Sequence, residues 1–256
     1  MSIKGKVIIV TGGTSGIGEG CSRYFAQQGA KVVIASNQKK EGAALEKELR
    51  KKKRDVMFVY TDVRSEESVR DMVKKAVRKY GRIDALDCNA GVWRQGKVTE
   101  FNDKDWDLVM GVNVKGVFYC AKHVVPVMEK QGKGVIVITT SVAAFIGFPQ
   151  HALYCASKAA LEALIRCLTT DHAGAIRTVG ICPGTIDTPM LAASAAGWTA
   201  PIEELYADIA KKIPVRRMGK PVDVAKAAAF LISDDADYIN GVSLPVEGGT
   251  LGLPPW

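Results

Sequence analysis

Short runs rich in β-branched residues alternate with longer amphipathic stretches along most of this 256-residue chain. Strands are predicted at residues 7–10, 31–35, 56–60, 83–88, 135–140, 178–182 and 242–246. Helices are predicted between them, at residues 18–28, 41–53, 66–80, 103–130, 154–170 and 223–232. Alternating strands and helices of these lengths build βαβ units. The pattern therefore predicts an α/β fold in which residues 1–256 form a single domain around a doubly wound parallel sheet, with helices on both faces.

The alternation lapses between residues 184 and 214. This segment is rich in alanine, carries Trp198 among small residues, and has Pro189 and Pro201 where they favour helix starts. Ligands of open α/β sheets bind beyond the carboxyl ends of the strands. We interpret residues 184–214 as a substrate lid, and the alternative is a pair of surface helices with no role in binding.

The net charge of +8 raises the question of a nucleic-acid partner. Residues 39–54 hold eight Lys or Arg against three Glu, without an aromatic residue among them. Positive charge is favourable where a helix ends, as the helix from residue 41 is predicted to do. We therefore favour a solvated helix end over an anion or nucleic-acid site, and we expect no nucleic-acid partner.

Neither a membrane segment nor a metal site is indicated by the sequence. The apolar runs are far shorter than the roughly 18 residues of a membrane span, and the first residues lead directly into a predicted strand. The six cysteines are scattered without a Cys-x-x-Cys pair, and the three histidines form no cluster. We expect a cytoplasmic protein with reduced thiols, no bound metal and no membrane partner.

A glycine-rich turn follows the first predicted strand, with glycines at Gly12, Gly16 and Gly18. Glycine allows a tight turn and a close approach of the backbone to a pyrophosphate, which then lies on the N-terminus of the next helix. The spacing differs from the common dinucleotide fingerprint, and many glycine-rich turns bind nothing. The turn indicates a nucleotide site only together with other residues.

Tyr154 and Lys158 lie four residues apart on a predicted helix, so both project from the same face. A nearby ammonium favours a phenolate, and we expect Lys158 to lower the pKa of Tyr154 until the phenol is a usable acid and base. Ser141 ends a predicted strand 13 residues earlier and could place its hydroxyl beside the phenol. The alternatives are a surface Tyr–Lys pair and a helix cap at Ser141.

Together these motifs resemble the short-chain dehydrogenase/reductase family over residues 6–249. The resemblance depends on the ordered set TGGTSGIG (residues 11–18), Asp62, Asn89-Ala90-Gly91, Asn113, Ser141, Tyr154-Cys155-Ala156-Ser157-Lys158 and Pro183-Gly184. It implies a single-domain Rossmann-type fold, a nicotinamide cofactor, and reversible oxidation of an alcohol to a carbonyl compound. The substrate is then a small alcohol or ketone.

The resemblance also implies a role for individual residues. Tyr154 is the catalytic acid and base, and Ser141 positions the substrate oxygen. Lys158 binds the nicotinamide ribose, and Asn113 holds a water molecule of the proton relay. The positions that match the family's cofactor contacts are Gly12, Thr14, Ser15, Gly16, Ile17, Gly18, Asp62, Val63, Asn89, Ala90, Gly91, Tyr154, Lys158, Pro183, Gly184, Ile186 and Thr188.

The end of the second predicted strand bears on the choice between NAD and NADP. Enzymes that bind NAD usually carry an acidic residue there, which accepts hydrogen bonds from the ribose 2′-hydroxyl. This chain has Ser36 and Asn37 instead, followed by Lys39 and Lys40. We predict that Ser36 and Asn37 contact the cofactor and that NADP is preferred. NAD stays an alternative, since the arginine often found beside this position is missing.

Three positions are left open by the sequence. Asp87 replaces an apolar strand residue and could be a paired buried carboxylate or lie at a wetter strand end, and Cys88 stands where the family often has asparagine. His151 could reach a substrate oxygen or have a structural role. Candidate walls of the substrate pocket are Trp93, Arg94, Phe145, Met190 and Trp198.

Family resemblance further implies a homo-oligomer, with a tetramer expected, paired through the helices predicted at residues 103–130 and 154–170. The competing function is a cofactor-binding regulatory or scaffold protein of the same fold without turnover. A protein that only binds needs no acid and base, so the intact Ser141, Tyr154, Lys158 and Asn113 favour the enzyme.

Overall fold

A computed structural model describes residues 2–194 and 201–252 of the chain. Within these residues, seven strands form one sheet, and every neighbouring pair of strands is parallel. The strands are β1 (Val7–Thr11), β2 (Lys31–Ser36), β3 (Val56–Tyr60), β4 (Ala85–Cys88), β5 (Gly134–Thr139), β6 (Ile176–Pro183) and β7 (Ser243–Val246). The helices are α1 (Gly16–Gln27), α2 (Lys39–Lys51), α3 (Glu66–Tyr80), α4 (Asp103–Met110), α5 (Gly116–Gln131), α6 (Ala152–Asp171), α7 (Pro189–Ser194), α8 (Ile202–Lys212) and α9 (Pro221–Ile232).

The strand order is β3-β2-β1-β4-β5-β6-β7, so the direction of winding reverses between β1 and β4. At such a switch point the connections leave on opposite faces of the sheet and open a crevice at the carboxyl ends of the strands. Register places Val10 beside Asp87 at this edge. The predicted α/β fold with a doubly wound, Rossmann-type parallel sheet is confirmed.

Two apolar layers cover the sheet, because its strands are buried on both faces. One layer packs α1, α2 and α9 against side chains such as Ile8 and Ile34. The other packs α3, α5 and α6 against side chains such as Ile9 and Ile136. The strands are thereby clamped between helices, and their carboxyl ends are held in a fixed arrangement.

The helix predicted at residues 103–130 is divided in the structure. A π-helical turn at Gly111–Lys115 separates α4 from α5. A π turn widens the backbone by one residue per turn and is often found at functional sites. The turn buries Asn113. Hydrophobic periodicity does not distinguish such a turn from a regular helix, so the sequence could not predict it.

The basic segment at residues 39–54 comprises α2, which ends at Lys51, and the three residues after it. Arg50 pairs with Glu46 across one helical turn and donates to the carbonyl of Val56. Lys52 pairs with Glu48 in the same way. These contacts are those of a helix end, as the charge pattern indicated. None of the helices in the described part of the chain is long and apolar enough to cross a membrane.

Candidate active site

A cleft of about 290 Å³ opens at the carboxyl ends of the central strands, beside the switch point. Most of the residues predicted from the sequence meet there. The predicted residues that line the cleft are Gly12, Ser15, Gly16, Ile17, Gly18, Asn89, Ala90, Gly91, Ser141, Tyr154, Lys158, Pro183, Gly184, Ile186 and Thr188. Six predicted residues do not line it: Thr14, Ser36, Asn37, Asp62, Val63 and Asn113.

The glycine turn between β1 and α1 is too tight for larger residues. Gly12 and Gly16 have φ values of 63° and 52°, which L-residues with side chains rarely adopt. A Cβ on Gly12 would lie 2.8 Å from Cα of Ala90, and one on Gly18 would overlap the carbonyl oxygen of Gly12. Because Gly12, Gly16 and Gly18 have no side chains, the backbone at the N-terminus of α1 directly faces the cleft. Its N–H groups and positive dipole end fit the pyrophosphate of a dinucleotide.

Lys158 lies on the first turns of α6 with only 4% of its surface exposed. Its Nζ donates a hydrogen bond of 2.7 Å to the carbonyl oxygen of Thr139 at the end of β5. The same atom lies 5.7 Å from the ring centroid of Tyr154. Burial lowers the pKa of Lys158 to about 8, because an ammonium group is less stable away from water. The ammonium is thus positioned beside the phenol and close to its titration point.

Tyr154 faces the cleft and is partly buried. Burial raises the pKa of Tyr154, and a hydrogen bond with the Ser141 side chain lowers it. The sequence predicted that Lys158 lowers this pKa, but burial of the phenol dominates and the shift is upward. The phenol is consequently protonated at neutral pH and is present in its acid form.

Ser141 caps a short turn and also lies beside the phenol of Tyr154. It precedes a short 3-10 turn (Val142–Ala144), and its Oγ accepts a hydrogen bond of 3.1 Å from the N–H of Ala143. It also reaches the hydroxyl of Tyr154. Capping fixes the orientation of the serine, and a fixed hydroxyl is what a positioning residue requires.

Asn113 ties the loop after β4 to α6 from inside the π turn. Its Oδ1 accepts from the N–H of Val92 at 2.8 Å, and its Nδ2 donates to the carbonyl of Val92 and to Oγ of Ser157, both at 2.9 Å. A Cβ on Gly91 would lie 3.6 Å from Asn113 Oδ1 and 3.8 Å from Lys158 Nζ. Asn113 Oδ1 and Lys158 Nζ thus both lie near Gly91, although the asparagine does not line the cleft.

The end of β2 forms a small polar cluster beside the glycine turn. Oγ1 of Thr14 lies 2.7 Å from Oγ of Ser36 and 2.6 Å from Oε1 of Gln38. The N–H of Gln38 donates to the same Ser36 oxygen. Ser36 is buried and Asn37 is exposed. Gln38 was not among the predicted residues, because a polar residue at the start of a predicted helix has no distinguishing pattern.

Asp62 and Val63 follow β3, the neighbour of β2. Arg64 donates to both carboxylate oxygens of Asp62, at 3.1 and 2.8 Å. These bonds lower the pKa of Asp62 and keep it ionised. Val63 packs against Gly116, where a Cβ would lie 2.8 Å from Cγ2 of Val63.

The substrate end of the cleft is lined by Trp93, Phe148, His151 and Met190. Two of the predicted walls, Trp93 and Met190, are among these residues, whereas Arg94 and Phe145 do not line the cleft. Trp198 lies outside the described residues. Phe148 was missed, because the loop between β5 and α6 holds two phenylalanines three residues apart and the sequence does not show which one faces inward.

His151 stands at the N-terminal cap position of α6 without making a side-chain cap bond. Its Nδ1 lies 2.6 Å from the carbonyl oxygen of Pro149. A carbonyl oxygen can only accept, so Nδ1 carries a proton and donates it. The imidazole is held by this bond as part of the wall of the cleft.

Asp87 is 1% exposed and points from β4 into the layer that contains α1, opposite to its neighbours Leu86 and Cys88. Burial raises its pKa to about 7, while a hydrogen bond from Cys21 lowers it. Among the described residues, nothing hydrogen-bonds its Oδ2. Asp87 is therefore neither at a wet strand end nor in an ion pair. Cys88 is buried, and a hydrogen bond with Cys120 and burial raise its pKa.

Comparison with known proteins gives a consistent result. A family profile described as Enoyl-(Acyl carrier protein) reductase matches residues 12–250. The chain is 37% identical over 251 residues to 3-oxoacyl-(acyl-carrier-protein) reductase FabG of Thermotoga maritima, covering 97% of this chain and 99% of the relative. It is also 37% identical over 250 residues to meso-2,3-butanediol dehydrogenase of Serratia marcescens, covering 97% and 96%.

Among solved structures, a variant of actinorhodin polyketide ketoreductase with NADPH superposes with a TM-score of 0.91 at 30% identity. The superposition covers 98% of this chain and 99% of that chain. Sequence and structure comparisons therefore agree over nearly the whole chain, including both ends of the cleft.

Proposed function

This chain belongs to the short-chain dehydrogenase/reductase family of NAD(P)-dependent oxidoreductases, and we propose that it interconverts a secondary alcohol and a ketone or aldehyde with Tyr154 as general acid and base. The observation that carries the proposal is that Ser141, Tyr154 and Lys158 line one cleft, with Lys158 Nζ 5.7 Å from the ring centroid of Tyr154. The glycine turn and Lys158 would hold a nicotinamide cofactor, which would supply hydride to the carbonyl carbon, or accept it in the reverse reaction.

In the reductive direction, the hydroxyl of Tyr154 donates its proton to the substrate oxygen. The Ser141 hydroxyl donates a hydrogen bond to the same oxygen and orients it. The positive charge of Lys158 stabilises the phenolate that remains. In the oxidative direction the same groups act in reverse, with the phenolate as the base.

We propose that Lys158 also binds the nicotinamide ribose, and that Asn113 holds a water molecule that links Lys158 to solvent. Support comes from the place of Lys158 in the lining of the cleft, and from Asn113 Oδ1 and Lys158 Nζ both lying near Gly91. A lysine pKa of about 8 suits a proton relay, because the group both gains and loses a proton near neutral pH.

NADP is the proposed preferred cofactor. No carboxylate occupies position 36 to repel a 2′-phosphate, and the Ser36 hydroxyl sits with Thr14 and the N–H of Gln38. Lys39 lies 4.7 Å from the ring centroid of Tyr60 beside this cluster, which adds positive charge near the phosphate position. NAD is the alternative. A single domain, a cytoplasmic location and a small-molecule substrate belong to the same proposal.

We further propose that residues 184–214 act as a lid and that the chain forms a homotetramer. Thr188 and four residues of α7 line the cleft, which supports the lid. The exposed Trp106 on α4 and Phe118 on α5 support pairing through that helical layer. Light scattering is expected to give four times the 27.5 kDa chain mass, and a monomer at micromolar concentration would contradict the tetramer.

The Tyr154→Phe variant tests the function. We expect it to bind cofactor normally and to lose at least about 10²-fold in turnover of the preferred alcohol or ketone. Tyr238→Phe is the matched control, because Tyr238 is fully exposed. Wild-type turnover in the Tyr154 variant would overturn the catalytic assignment. Cofactor binding by the wild-type protein without turnover of any alcohol or ketone would favour the regulatory or scaffold function instead.

A further inference from the structure

Three aromatic rings of the described residues form one wall at the substrate end of the cleft. The ring centroids of Trp93 and His151 are 5.3 Å apart with 34° between the planes. Phe148 lies 6.0 Å from His151 at 56°. These separations are typical of offset and tilted ring pairs, which stabilise each other. The bond between His151 and Pro149 fixes the central ring, so the wall keeps its shape before a ligand arrives.

Apart from Lys158, the described residues that line the cleft include no lysine or arginine that could pair with an acidic substrate. The Nζ of Lys158 already donates a hydrogen bond to the carbonyl of Thr139. Residues 195–200 lie outside the described structure, and their sequence contains no ionisable side chain. Placing a carboxylate or phosphate where no cation meets it is unfavourable, so this end of the cleft selects against such groups.

The mouth of the cleft keeps large apolar side chains in contact with water. Phe148 is 40% exposed and Met190 is 39% exposed, and both line the cleft. Covering this surface with an apolar ligand releases water and is favourable. A flat ring is the shape that the aromatic wall accommodates with the largest contact.

From these observations we infer that the substrate is an uncharged ketone carrying a flat apolar substituent, such as an aryl ring, that lies against Trp93, His151 and Phe148. This inference rests on the proposed function, because it places the carbonyl at Tyr154 and Ser141. It adds a substrate class and assigns Phe148 as a specificity-determining residue.

Three ketones separate the effect of the ring from the effect of charge. Methyl benzoylformate has an aryl ring and no charge, benzoylformate has the same ring with a carboxylate, and methyl pyruvate lacks the ring. With saturating NADPH, we expect kcat/KM for methyl benzoylformate to exceed that for benzoylformate by roughly 100-fold or more. We expect it to exceed that for methyl pyruvate by roughly tenfold.

Phe148→Ala is expected to lower kcat/KM for methyl benzoylformate roughly tenfold while changing methyl pyruvate less than about twofold. Phe145→Ala is the matched control, because Phe145 is 56% exposed, lies three residues away and does not line the cleft. This control should leave both values within about twofold of the wild type.

A preference for benzoylformate over its methyl ester would overturn the inference. An equal loss of kcat/KM for methyl benzoylformate and methyl pyruvate in Phe148→Ala would also overturn it. The same loss in Phe145→Ala would overturn it as well. If none of the three ketones is reduced, the proposed function is contradicted for this class. Calorimetric titration of methyl benzoylformate and benzoylformate into the protein with NADPH then tests the inference. The inference requires that the ester binds more tightly than the acid. It also requires that Phe148→Ala weakens binding of the ester and that Phe145→Ala does not.

Discussion

Asp87 and Lys158 are both buried ionisable side chains, and they are held on opposite faces of the same sheet. Burial moves both pKa values toward neutrality, to about 7 for the acid and about 8 for the lysine. Lys158 has a carbonyl partner and faces the cleft, whereas Asp87 has an oxygen that no described residue hydrogen-bonds. Burial gives Lys158 a pKa close to neutral pH beside the cleft. Burial of Asp87 lowers the stability of the folded protein when the carboxylate is charged.

The comparison predicts that removing the charge of Lys158 and removing the charge of Asp87 have different effects on activity and stability. Removing the charge at position 158 should abolish activity and leave stability nearly unchanged. Removing the charge at position 87 should change stability and leave activity nearly unchanged. The four substitutions below test this separation, beginning with the largest expected effect.

Lys158→Met should lower kcat/KM by roughly 10²–10⁴-fold, because it removes the cation that stabilises the phenolate of Tyr154. Methionine keeps most of the side-chain volume, and removing a buried ammonium offsets the loss of its bond to Thr139. Steady-state kinetics with calorimetric cofactor binding and thermal unfolding measure both effects. A variant that unfolds far below the wild type would show that Lys158 is structural.

Ser36→Asp places a new carboxylate at the end of β2, where Thr14 and the N–H of Gln38 can donate to it. Unlike Asp87, this carboxylate should stay ionised. It should accept from the 2′-hydroxyl of NAD and repel the 2′-phosphate of NADP, moving the ratio of kcat/KM values toward NAD by tens- to thousands-fold.

Ser36→Ala is the control for this substitution, since it removes the hydroxyl without adding charge. The assay is kcat/KM for both cofactors in the three proteins. A wild type that already prefers NAD strongly, or a ratio that Ser36→Asp does not move, would show that our interpretation of the second strand is wrong.

Asp87→Asn should change how stability depends on pH. The folded pKa lies above the unfolded one, so the folded protein binds the extra proton and wild-type stability falls as the pH rises from about 4 through 7. Between pH 5 and pH 8 this loss is about 2–3 kcal/mol in the free energy of unfolding. The asparagine variant has no titrating group at this position. Its loss in free energy of unfolding between pH 5 and pH 8 should therefore be smaller than that of the wild type by this amount.

Urea unfolding at pH 5 and pH 8 measures this difference, and kcat/KM at both values should stay within about twofold of the wild type. Equal pH dependence in the two proteins would show that Asp87 titrates in the ordinary acidic range. A large loss of activity would place Asp87 in the machinery of the site.

Cys21→Ala gives the smallest expected effect. The Cys21 thiol hydrogen-bonds Asp87 and lowers its pKa, so removing the thiol should shift the fall in stability toward higher pH. The lost bond is worth about 1 kcal/mol at pH 8, where the carboxylate is charged. Cys120→Ala, in the opposite layer, is the control, and a pH shift of the same size there would disprove a specific contact.

Local pattern was sufficient for the strands and for most helices of the fold, but it missed the π turn that divides the helix predicted at residues 103–130. The alternation of strands and helices predicted the parallel sheet, and the glycine turn, Ser141, Tyr154 and Lys158 were expected to meet at one edge. They do so because parallel strands bring their carboxyl ends together whatever fills the sequence between them. Element ends were less accurate: α2 begins at Lys39, and β4 begins at Ala85.

The sequence by itself therefore determined the set of groups, through the resemblance of its ordered motifs to the family, and the edge of the sheet that holds them, through the alternation of strands and helices. Only the tertiary structure decided that burial raises the pKa of Tyr154, that Asp87 is buried with an oxygen that no described residue hydrogen-bonds, and that Phe148 rather than Phe145 lines the cleft. These properties depend on the distances and solvent exclusion produced when segments far apart in sequence pack together, and no local pattern encodes them.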